Sequence, residues 1–317
     1  MTVILVQSPG LFTTVQDLGR HGYGPLGLSP SGAADPVALR LGNLLVGNLE
    51  TAAALEMTLL GGTFVFPQGG VIAVTGSDFG LALDGSSLPM WTSCLVRDGQ
   101  TLKIGPAQTG ARCYLSVRGG IAVKPFLGSA STHILTRLGG MEGRSLRKGD
   151  VLSVGETPAA GFDQPQGVPP EILGRLAPRT IIRTTVAPQT DLFHTGATEV
   201  FYKSPYRVTQ QSNRMGLRLE GPIIEAPYSG HMVTEGVSLG AVQVPAGGQP
   251  IILFVEQQTT GGYPKIANVI SADLASVGQL RPTDQIQFEL VSPQMASALI
   301  REQERLLQTL SSSFARV

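Results

Sequence analysis

The stretch "TFVFPQGGVIAVTG", residues 63–76, places two short apolar runs on either side of a turn. Both runs are rich in the β-branched and aromatic residues that strands favour. The "PQGG" between them carries the Pro and Gly that punctuate turns. The pattern therefore predicts two short strands separated by a tight turn.

The same pattern continues along most of the 317 residues. It recurs in "LALDG", "QTLKIG" and "RCYLSVRGG" in the first half, and in "TIIRTTV", "YRVTQ", "MGLRLEG", "AVQVPAG", "PIILFVE" and "DQIQFELV" in the second. Gly (40) and Pro (22) are frequent and interleaved with strand-forming residues. Many short strands at close spacing are typical of a barrel or a sandwich. We therefore predict a mainly β protein.

Two segments predict helices. Asp35 and Pro36 are the residue types of an N-cap and a first helical residue, and an apolar stripe follows at helical spacing: Val37, Leu41, Leu44 and Leu45. Ser292 and Pro293 give the same signal near the end of the chain. The buried face expected for that second helix consists of Leu299, Ile300, Leu306, Leu307 and Leu310.

A stretch rich in Pro, Gly and Ala, residues 156–178, is typical of a linker. We therefore expect an N-terminal β domain at 1–155 and a C-terminal β domain with a terminal helix at 179–317. The segments "LRKGDVLSV" from Leu146 and "LRPTDQIQFEL" from Leu280 share Leu-Arg-x-x-Asp before an alternating strand. This echo favours two domains of similar construction.

Composition argues against several functional classes. The formal net charge is zero, without a basic or acidic block, so neither a nucleic acid nor an anionic membrane surface is an expected partner. No apolar run approaches the ~20 residues that span a bilayer. The opening "MTVILVQSPGLF" lacks the basic start of a signal peptide. We expect a cytoplasmic chain in which Cys94 and Cys113 are reduced, buried and structural.

Known catalytic motifs give weak signals. "GYGPLG", residues 22–27, matches a dinucleotide fingerprint, but Pro25 removes a backbone N–H group and the predicted helix starts only at Pro36. The sequence has no Walker A loop and no G-x-S-x-G elbow. His231 and Glu235 have helical spacing, yet "YSGHMVTEG" is turn-like. We predict no metal site and no ATP site on this chain.

Polar side chains concentrate in four turn-rich stretches: "TTVQDLGRHGYG", "QQSNRMGLRLEG", "TEGVSLGAVQVP" and "VEQQTTGGYPKI". The last follows an apolar run, residues 250–255, which we expect to form a buried strand. The structural interpretation of these residues is that they form caps, Asx turns and exposed loops. For Arg20 and Arg214 a role in a site and a role on the surface are equally open.

As a whole, "GLFTTVQDLGRHGYGPLGLSPSGAADPVALRLGNLLVGN" resembles the opening of the biotin-dependent carboxyltransferase family. Further family blocks follow in order, among them "VIAVTGSDF", "GARCYLSVRGGI", "LGSASTH", "QSNRMGLRLEG", "TEGVSLGAVQVP" and "QTTGGYPKI". The resemblance covers residues 11–288. The chain departs from the usual family pattern at Asn213, Thr234 and Glu256–Gln257, close to the suspected site.

The family comprises the C subunit of 5-oxoprolinase, allophanate hydrolase subunit 2 and one half of the carboxyltransferase domain of urea amidolyase. The resemblance implies two cyclophilin-like β-barrel domains with a few helices. It also implies partners: a B subunit of the same broad fold (a Kip-type inhibitor homologue) and, in 5-oxoprolinase, an A subunit. ATP would be bound elsewhere in that complex. The chain has no Met-Lys-Met acceptor, so any biotin would be carried by another protein.

The resemblance implies, first, a subunit of an ATP-dependent 5-oxoprolinase that converts 5-oxo-L-proline to L-glutamate and is active only with its partners. An alternative within the family is a subunit of a urea carboxylase or allophanate hydrolase system. An alternative of another class is a regulatory Kip-type protein that counteracts a kinase inhibitor.

Chemistry at an amide or urea nitrogen needs donors for oxygens that gain charge and a base or acceptor for the nitrogen's proton. The catalytic candidates are Glu235, Asp17 and Tyr263. The substrate-binding candidates are Arg20, Arg214, Gln243, Gln258, Thr260, Gly261 and Gly262. We expect the last three to form a concave anion-binding turn with positive φ, the arginines to bind a carboxylate, and these loops to meet in one pocket for a small anionic substrate.

Overall fold

The computed structural model describes residues 2–157, 164–227 and 232–314. Strands dominate these residues, so the prediction of a mainly β protein is confirmed. The chain divides into two compact units. The first comprises the described residues of Met1–Arg20, Ser31–Leu176 and Arg305–Val317, and the second those of His21–Pro30 and Ala177–Glu304.

The first unit contains two antiparallel sheets. A seven-stranded sheet has the order β11-β12-β1-β4-β9-β6-β7, and a five-stranded sheet the order β2-β3-β10-β5-β8. The strands are β1 (Val3–Ser8), β2 (Phe12–Gln16), β3 (Ala54–Thr58), β4 (Thr63–Phe66), β5 (Gly70–Gly76), β6 (Leu81–Leu83), β7 (Ser86–Leu88), β8 (Ser93–Val96), β9 (Gln100–Ile104), β10 (Arg112–Val117), β11 (Ile121–Ala122) and β12 (Val151–Val154).

Alternating side chains of both sheets form the core of the first unit. Ile4 and Phe64 from the larger sheet and Leu55 and Leu115 from the smaller one are fully buried in one hydrophobic cluster. Burial of such side chains stabilises the fold by about 1.5–3 kcal/mol each. The predicted strands of the first half are all present, and β4 and β5 are the two runs on either side of "PQGG".

Helix α1 (Pro36–Leu45) begins as the sequence predicts. Asp35 is the N-cap, and its Oδ1 accepts from the Ala38 N–H at 2.9 Å. The predicted apolar stripe is buried. Side chains of β3 and β10 hold the first residues of the helix in place. Tyr114 Oη of β10 donates to Glu56 of β3 at 2.7 Å and accepts from the Asp35 N–H at 2.8 Å.

In the second unit seven strands close into a barrel, in the order β13-β20-β17-β18-β15-β14-β21. A separate two-stranded sheet pairs β16 with β19. The strands are β13 (Ile181–Val186), β14 (Tyr206–Val208), β15 (Gly216–Glu220), β16 (Glu235–Gly236), β17 (Ala241–Gln243), β18 (Ile251–Leu253), β19 (Thr260–Gly261), β20 (Lys265–Val269) and β21 (Gln285–Leu290). The strand expected over 250–255 is shorter than predicted, because Gln257 N–H turns back to donate to the Phe254 carbonyl.

The remaining helices are α2 (Pro170–Leu176), α3 (Thr195–Lys203), α4 (Leu274–Gln279) and α5 (Pro293–Phe314). The start of α5 matches the prediction, since Ser292 Oγ accepts from the Met295 N–H at 3.1 Å. Its predicted buried face is wrong in part: Leu307 and Leu310 are buried, whereas Leu299, Ile300 and Leu306 are only half-buried.

The expected linker, residues 156–178, falls partly outside the described residues. Its second part is ordered within the first unit, where Val168 N–H donates to the Trp91 carbonyl at 3.0 Å and α2 follows. The expected domain boundaries stay a prediction. Both cysteines are free thiols; Cys113 is buried, but Cys94 is only half-buried, so the prediction of two buried cysteines is wrong for Cys94.

Among the described helices none is long and apolar enough to cross a membrane.

The two Leu-Arg-x-x-Asp segments fold into the same turn, one in each unit. Asp150 Oδ2 accepts from the Arg147 N–H at 2.7 Å, and Asp284 Oδ2 accepts from the Arg281 N–H at 2.9 Å. The Asp150 carbonyl accepts from the Val6 N–H at 3.0 Å, and the Asp284 carbonyl from the Val208 N–H at 2.9 Å. The short sequence echo therefore marks a repeated local structure.

Candidate functional site

The polar segment after β18 is held by bonds to neighbouring backbone. Glu256 N–H donates to the Arg214 carbonyl at 2.8 Å. The Gln257 amide, in the orientation that satisfies both of its groups, donates to the Ser238 carbonyl at 3.0 Å. Strand β19 follows and pairs with β16. The polar residues that end this apolar run thus position a short strand in the second unit.

Two strand pairs of the second unit, β16 with β19 and β17 with β20, bring four residues together. Glu235 of β16 lies opposite Gly261 of β19. Gln243 of β17 lies opposite Lys265 of β20. Side-chain contacts connect the two pairs, as the following distances show. We call this group, with Gln189 and Gln258, the amide cluster.

Glu235 is the carboxylate of the amide cluster. Its Oε1 accepts from Lys265 Nζ, and Gln189 Nε2 donates to the same oxygen at 2.7 Å. The Lys265 side chain is buried, whereas that of Glu235 is 45% exposed. The hydrogen bond from Lys265 lowers the pKa of Glu235. Glu235 is therefore ionised at neutral pH, which makes it a good acceptor for an N–H group and a weak base.

Gln243 supplies an unused donor. The residue is 1% exposed, and its Nε2 has no hydrogen-bond partner among the described residues. A Cβ placed on Gly261 would lie 2.7 Å from Gln243 Nε2 and 2.9 Å from Gln258 Nε2. Two amide donors thus face the side on which Gly261 has no side chain. An unsatisfied buried donor costs about 1–3 kcal/mol, a cost that a ligand oxygen would remove.

The predicted anion-binding turn at Thr260, Gly261 and Gly262 is wrong in its backbone geometry. Neither glycine lies in the left-handed region. Thr260–Gly261 is extended because it pairs with β16, and the Gly262 carbonyl accepts from the Met232 N–H at 2.8 Å. Gly261 is needed because it has no side chain: a Cβ there would clash with the two amide nitrogens.

Arg214 already holds a carboxylate of its own chain. Its Nε lies 2.5 Å from Glu256 Oε1, and both side chains are buried, at 7% and 3% exposure. Glu256 is one of the positions at which the sequence departs from the family pattern. Glu256 therefore occupies the Nε edge of the Arg214 guanidinium. Binding of a substrate carboxylate by Arg214 stays a prediction.

The other predicted residues of the second unit flank the amide cluster along the chain. Thr260 and Gln258 are exposed and Tyr263 is half-buried. Tyr263 lies two residues from both Gly261 and Lys265. Its catalytic role stays a prediction.

In the first unit Asp17 and Arg20 both form hydrogen bonds to the loop at residues 129–131. Asp17 Oδ1 accepts from Ser129 Oγ at 2.7 Å and from Ser131 Oγ at 2.5 Å. Arg20 donates to the Ser131 carbonyl, and its guanidinium lies 5.8 Å from the centre of the Phe126 ring. Asp17 is 8% exposed and Arg20 3%. The structure brings these two candidates together on the loop at residues 129–131.

No group of three or more His, Cys, Asp and Glu within the described ranges could hold a metal ion. His231 lies outside those ranges, so the spacing of His231 and Glu235 is not described. The fingerprint-like "GYGPLG" leads into a single 3-10 turn, Gly24–Leu26, rather than an α-helix. It lacks the helix N-terminus that binds a nucleotide phosphate.

Comparison with known families locates the amide cluster within a known type of domain. A family model described as "Carboxyltransferase domain, subdomain A and B" matches residues 26–290. The chain belongs to this carboxyltransferase family. Within the family match lie Gln189, Glu235, Gln243 and Lys265, whereas Asp17 and Arg20 precede it.

Relatives in this family include two kinds of enzyme. The chain is 40% identical over 304 residues to the C subunit of 5-oxoprolinase from Escherichia coli (strain K12), a match that covers 95% of this chain and 96% of that protein. It is 35% identical over 331 residues to "Urea amidolyase" of Saccharomyces cerevisiae, covering 99% of this chain but 18% of that protein. The crystal structure of the Kluyveromyces lactis urea carboxylase matches 97% of this chain and 29% of that chain, with 35% identity and a TM-score of 0.90.

Sequence reasoning missed Lys265 and Gln189. Lys265 follows Pro264 and starts the strand "KIANV", in which Ile266, Ala267 and Val269 are apolar, and its side chain is buried. A cation at an inward strand position signals a paired charge, and that signal was present in the sequence. Gln189, in "APQTD", is 6% exposed and carries no comparable signal.

Proposed function

We propose that the chain is a subunit of an ATP-dependent 5-oxoprolinase and that its amide cluster binds the lactam of 5-oxo-L-proline. The observation that carries this proposal is the 40% identity to the C subunit of Escherichia coli 5-oxoprolinase, which extends over 96% of that protein. In this proposal the chain works in a hetero-complex with B and A subunits, and ATP is bound by another member of the complex. No step of the proposal passes through biotin.

Ring opening adds water across the lactam C–N bond. The carbonyl carbon gains the hydroxyl, the nitrogen gains a proton, and the carbonyl oxygen carries negative charge as the bond is attacked. Two donors aimed at that oxygen would stabilise the charge in a site shielded from water. Gln243 Nε2 and Gln258 Nε2, which lie close together against the side of Gly261 that has no side chain, suit this role.

The lactam N–H needs an acceptor beside those donors. Glu235 suits this role because its side chain is accessible and its lowered pKa keeps it charged. Asp17 is the weaker candidate: both of its oxygens accept hydrogen bonds from the loop at 129–131. We therefore assign Glu235 the acceptor role, with Lys265 and Gln189 holding its carboxylate in place.

The decisive experiment reconstitutes the chain with its B and A partners and measures ATP-dependent release of glutamate from 5-oxoproline, with each component omitted in turn. We expect release only from the complete complex. Gln243→Leu should lower kcat roughly 10²–10³-fold, the loss expected for one oxyanion donor. Gln308→Leu, the same change at an exposed position of α5, is the matched control and should retain wild-type turnover.

The outcomes separate the two parts of the proposal. A complete wild-type complex that releases no glutamate contradicts the assignment as a 5-oxoprolinase. A complex that is active with wild-type chain and equally active with folded Gln243→Leu contradicts only the location of the oxygen-binding donors.

Urea chemistry is the second candidate, favoured by the similarity to urea amidolyase and urea carboxylase at 35% identity. ATP consumption by the reconstituted proteins in the presence of urea but not of 5-oxoproline would support it over the first. A regulatory role that counteracts a kinase inhibitor stays a prediction.

A further inference from the structure

A cavity of about 650 Å³ opens in the first unit, within residues 122–153. Its volume lies within the ~300–1,000 Å³ of typical small-molecule sites. Apolar residues make up much of the lining: Val123, Pro125, Phe126, Leu138, Met141 and Val151. None of these residues belongs to the amide cluster.

Positive charge surrounds the opening. Lys124 and Arg137 line the cavity and are exposed, and neither forms an ion pair with a described residue. The one lining carboxylate, Glu142, lies 3.1 Å from Arg144 Nε, and Arg144 also pairs with Asp150 at 2.8 Å. Behind the wall, the buried guanidinium of Arg20 lies against Phe126. Asp17 offsets the charge of Arg20 on the loop at 129–131, and Glu142 and Asp150 together exceed the charge of Arg144. Lys124 and Arg137 therefore leave a small positive excess at the cavity, which favours a negatively charged ligand.

The loop that carries Arg137 is tightly folded. Arg137 (φ 54°) and Glu142 (φ 57°) adopt the left-handed conformation that non-glycine residues rarely occupy. A Cβ on Gly139 would lie 2.1 Å from the Ser131 carbonyl oxygen, and one on Gly140 1.9 Å from Thr132 Oγ1. Such close packing fixes the loop and with it one side of the cavity. A wall that is already ordered loses little entropy when a ligand binds.

We propose that this cavity binds an organic anion that carries an apolar body, with Lys124 and Arg137 on its carboxylate or phosphate group and the apolar wall around the rest. The lining shares no residue with the amide cluster, and the volume of the cavity suits a ligand larger than a small lactam. The inference is independent of the proposed function, because it concerns different residues and is tested by binding alone.

The test titrates the full chain with the fluorescent anion 8-anilinonaphthalene-1-sulfonate. Lys124→Gln with Arg137→Gln should weaken dye binding roughly tenfold, because both positive charges that contact the sulfonate are lost. Ala122→Trp, an exposed lining position on β11, should block the cavity and abolish this binding. Lys148→Gln, a charge removed outside the cavity, is the matched control.

Competition identifies the ligand class. Hexanoate and phenyl phosphate, which combine an anionic group with an apolar body, should displace the dye, and whichever is stronger shows the preferred anion. Hexanol, which lacks the charge, and inorganic phosphate, which lacks the body, should each displace it at least roughly tenfold less well. The proposal is overturned if hexanol competes as well as hexanoate, or if the double variant and Ala122→Trp both bind dye like wild type.

Discussion

Arg214 and Glu256 bury opposite charges against each other at 2.5 Å in the second unit. Removal of one partner of a buried pair leaves an uncompensated charge and costs about 3–5 kcal/mol. We expect Glu256→Ala to lower the free energy of unfolding by about 3 kcal/mol, measured by urea denaturation. Glu199→Ala, which breaks the exposed pair with Lys203, should cost about 0.5 kcal/mol or less. Equal losses in the two variants would show that the Arg214 pair is not stabilising.

The pairing of Lys265 with Glu235 predicts a titration effect. Lys265→Met keeps the buried stem but removes the charge and the hydrogen bond that lower the pKa of Glu235. We expect the Glu235 pKa to rise toward the ordinary value of about 4.3, as measured by NMR titration of its side-chain carboxyl. Lys203→Met is the matched control and should leave it unchanged.

The same pairing sets a pH dependence of stability. Because the folded-state pKa of Glu235 is lowered, its carboxylate adds stability at pH values above its unfolded pKa, and this stability is lost as pH falls through the folded pKa. The gap in urea midpoint between wild type and Glu235→Gln should therefore narrow as pH falls from about 7 to about 3. A gap that stays constant would contradict this account.

For single residues the sequence indicates which side chains could belong to a site better than it indicates which residues they contact. Gln243 and Glu235 could be proposed because polar residues are dense around them in the sequence. The contact of Gly261 with two side-chain amides depends on strand pairings, which sequence spacing does not reveal. The sequence suggests Arg214 as a ligand for substrate, although its carboxylate partner lies 42 positions further along the same chain.

Among the elements, the repeated Arg-x-x-Asp turn offers an internal comparison. Gly149 (φ 90°) and Thr283 (φ 81°) occupy the same place in the two copies. The N–H of Gly149 donates to the Val6 carbonyl, and that of Thr283 to the Val208 carbonyl, both at 2.8 Å. A β-branched residue in the left-handed region is strained, by about 1–3 kcal/mol.

We therefore expect Thr283→Gly to raise the free energy of unfolding by about 1 kcal/mol, because relief of strain outweighs the extra freedom of the unfolded chain. Gly149→Thr should lower it by a similar amount, since a Cβ there meets no atom within 4 Å and only the backbone cost remains. Urea denaturation of both variants tests the pair. A loss of stability in Thr283→Gly would show that its side chain contributes more than its strain costs.

Helix starts were predictable from caps because capping is local: Asp35 with Pro36 and Ser292 with Pro293 decide α1 and α5 within a few residues. The buried face of α5 was not, because burial depends on distant parts of the chain, and of the predicted stripe only Leu307 and Leu310 are buried. Strand β18 also ends early, where its last apolar residues enter a turn that no periodicity predicts.

At the scale of the whole molecule, alternating strands and Gly-rich turns were enough to predict a mainly β chain. They do not determine which strands pair. Closure of the barrel in the second unit depends on β13 pairing in parallel with β21, about a hundred positions away, whereas the first unit divides its strands between two sheets. Local patterns carry no information on such distant pairings, so the sheet orders required the structure.

The turn that appears once in each unit bears on how such chains are related by descent. Both copies form the same hydrogen bonds, although one has glycine and the other threonine at the same position. The hydrogen-bond pattern is therefore kept where the sequence differs. Ancestry by internal duplication, in this and other barrels, should then be sought by superposing bonded turns, because a motif as short as Leu-Arg-x-x-Asp is too brief to reveal common origin by its letters alone.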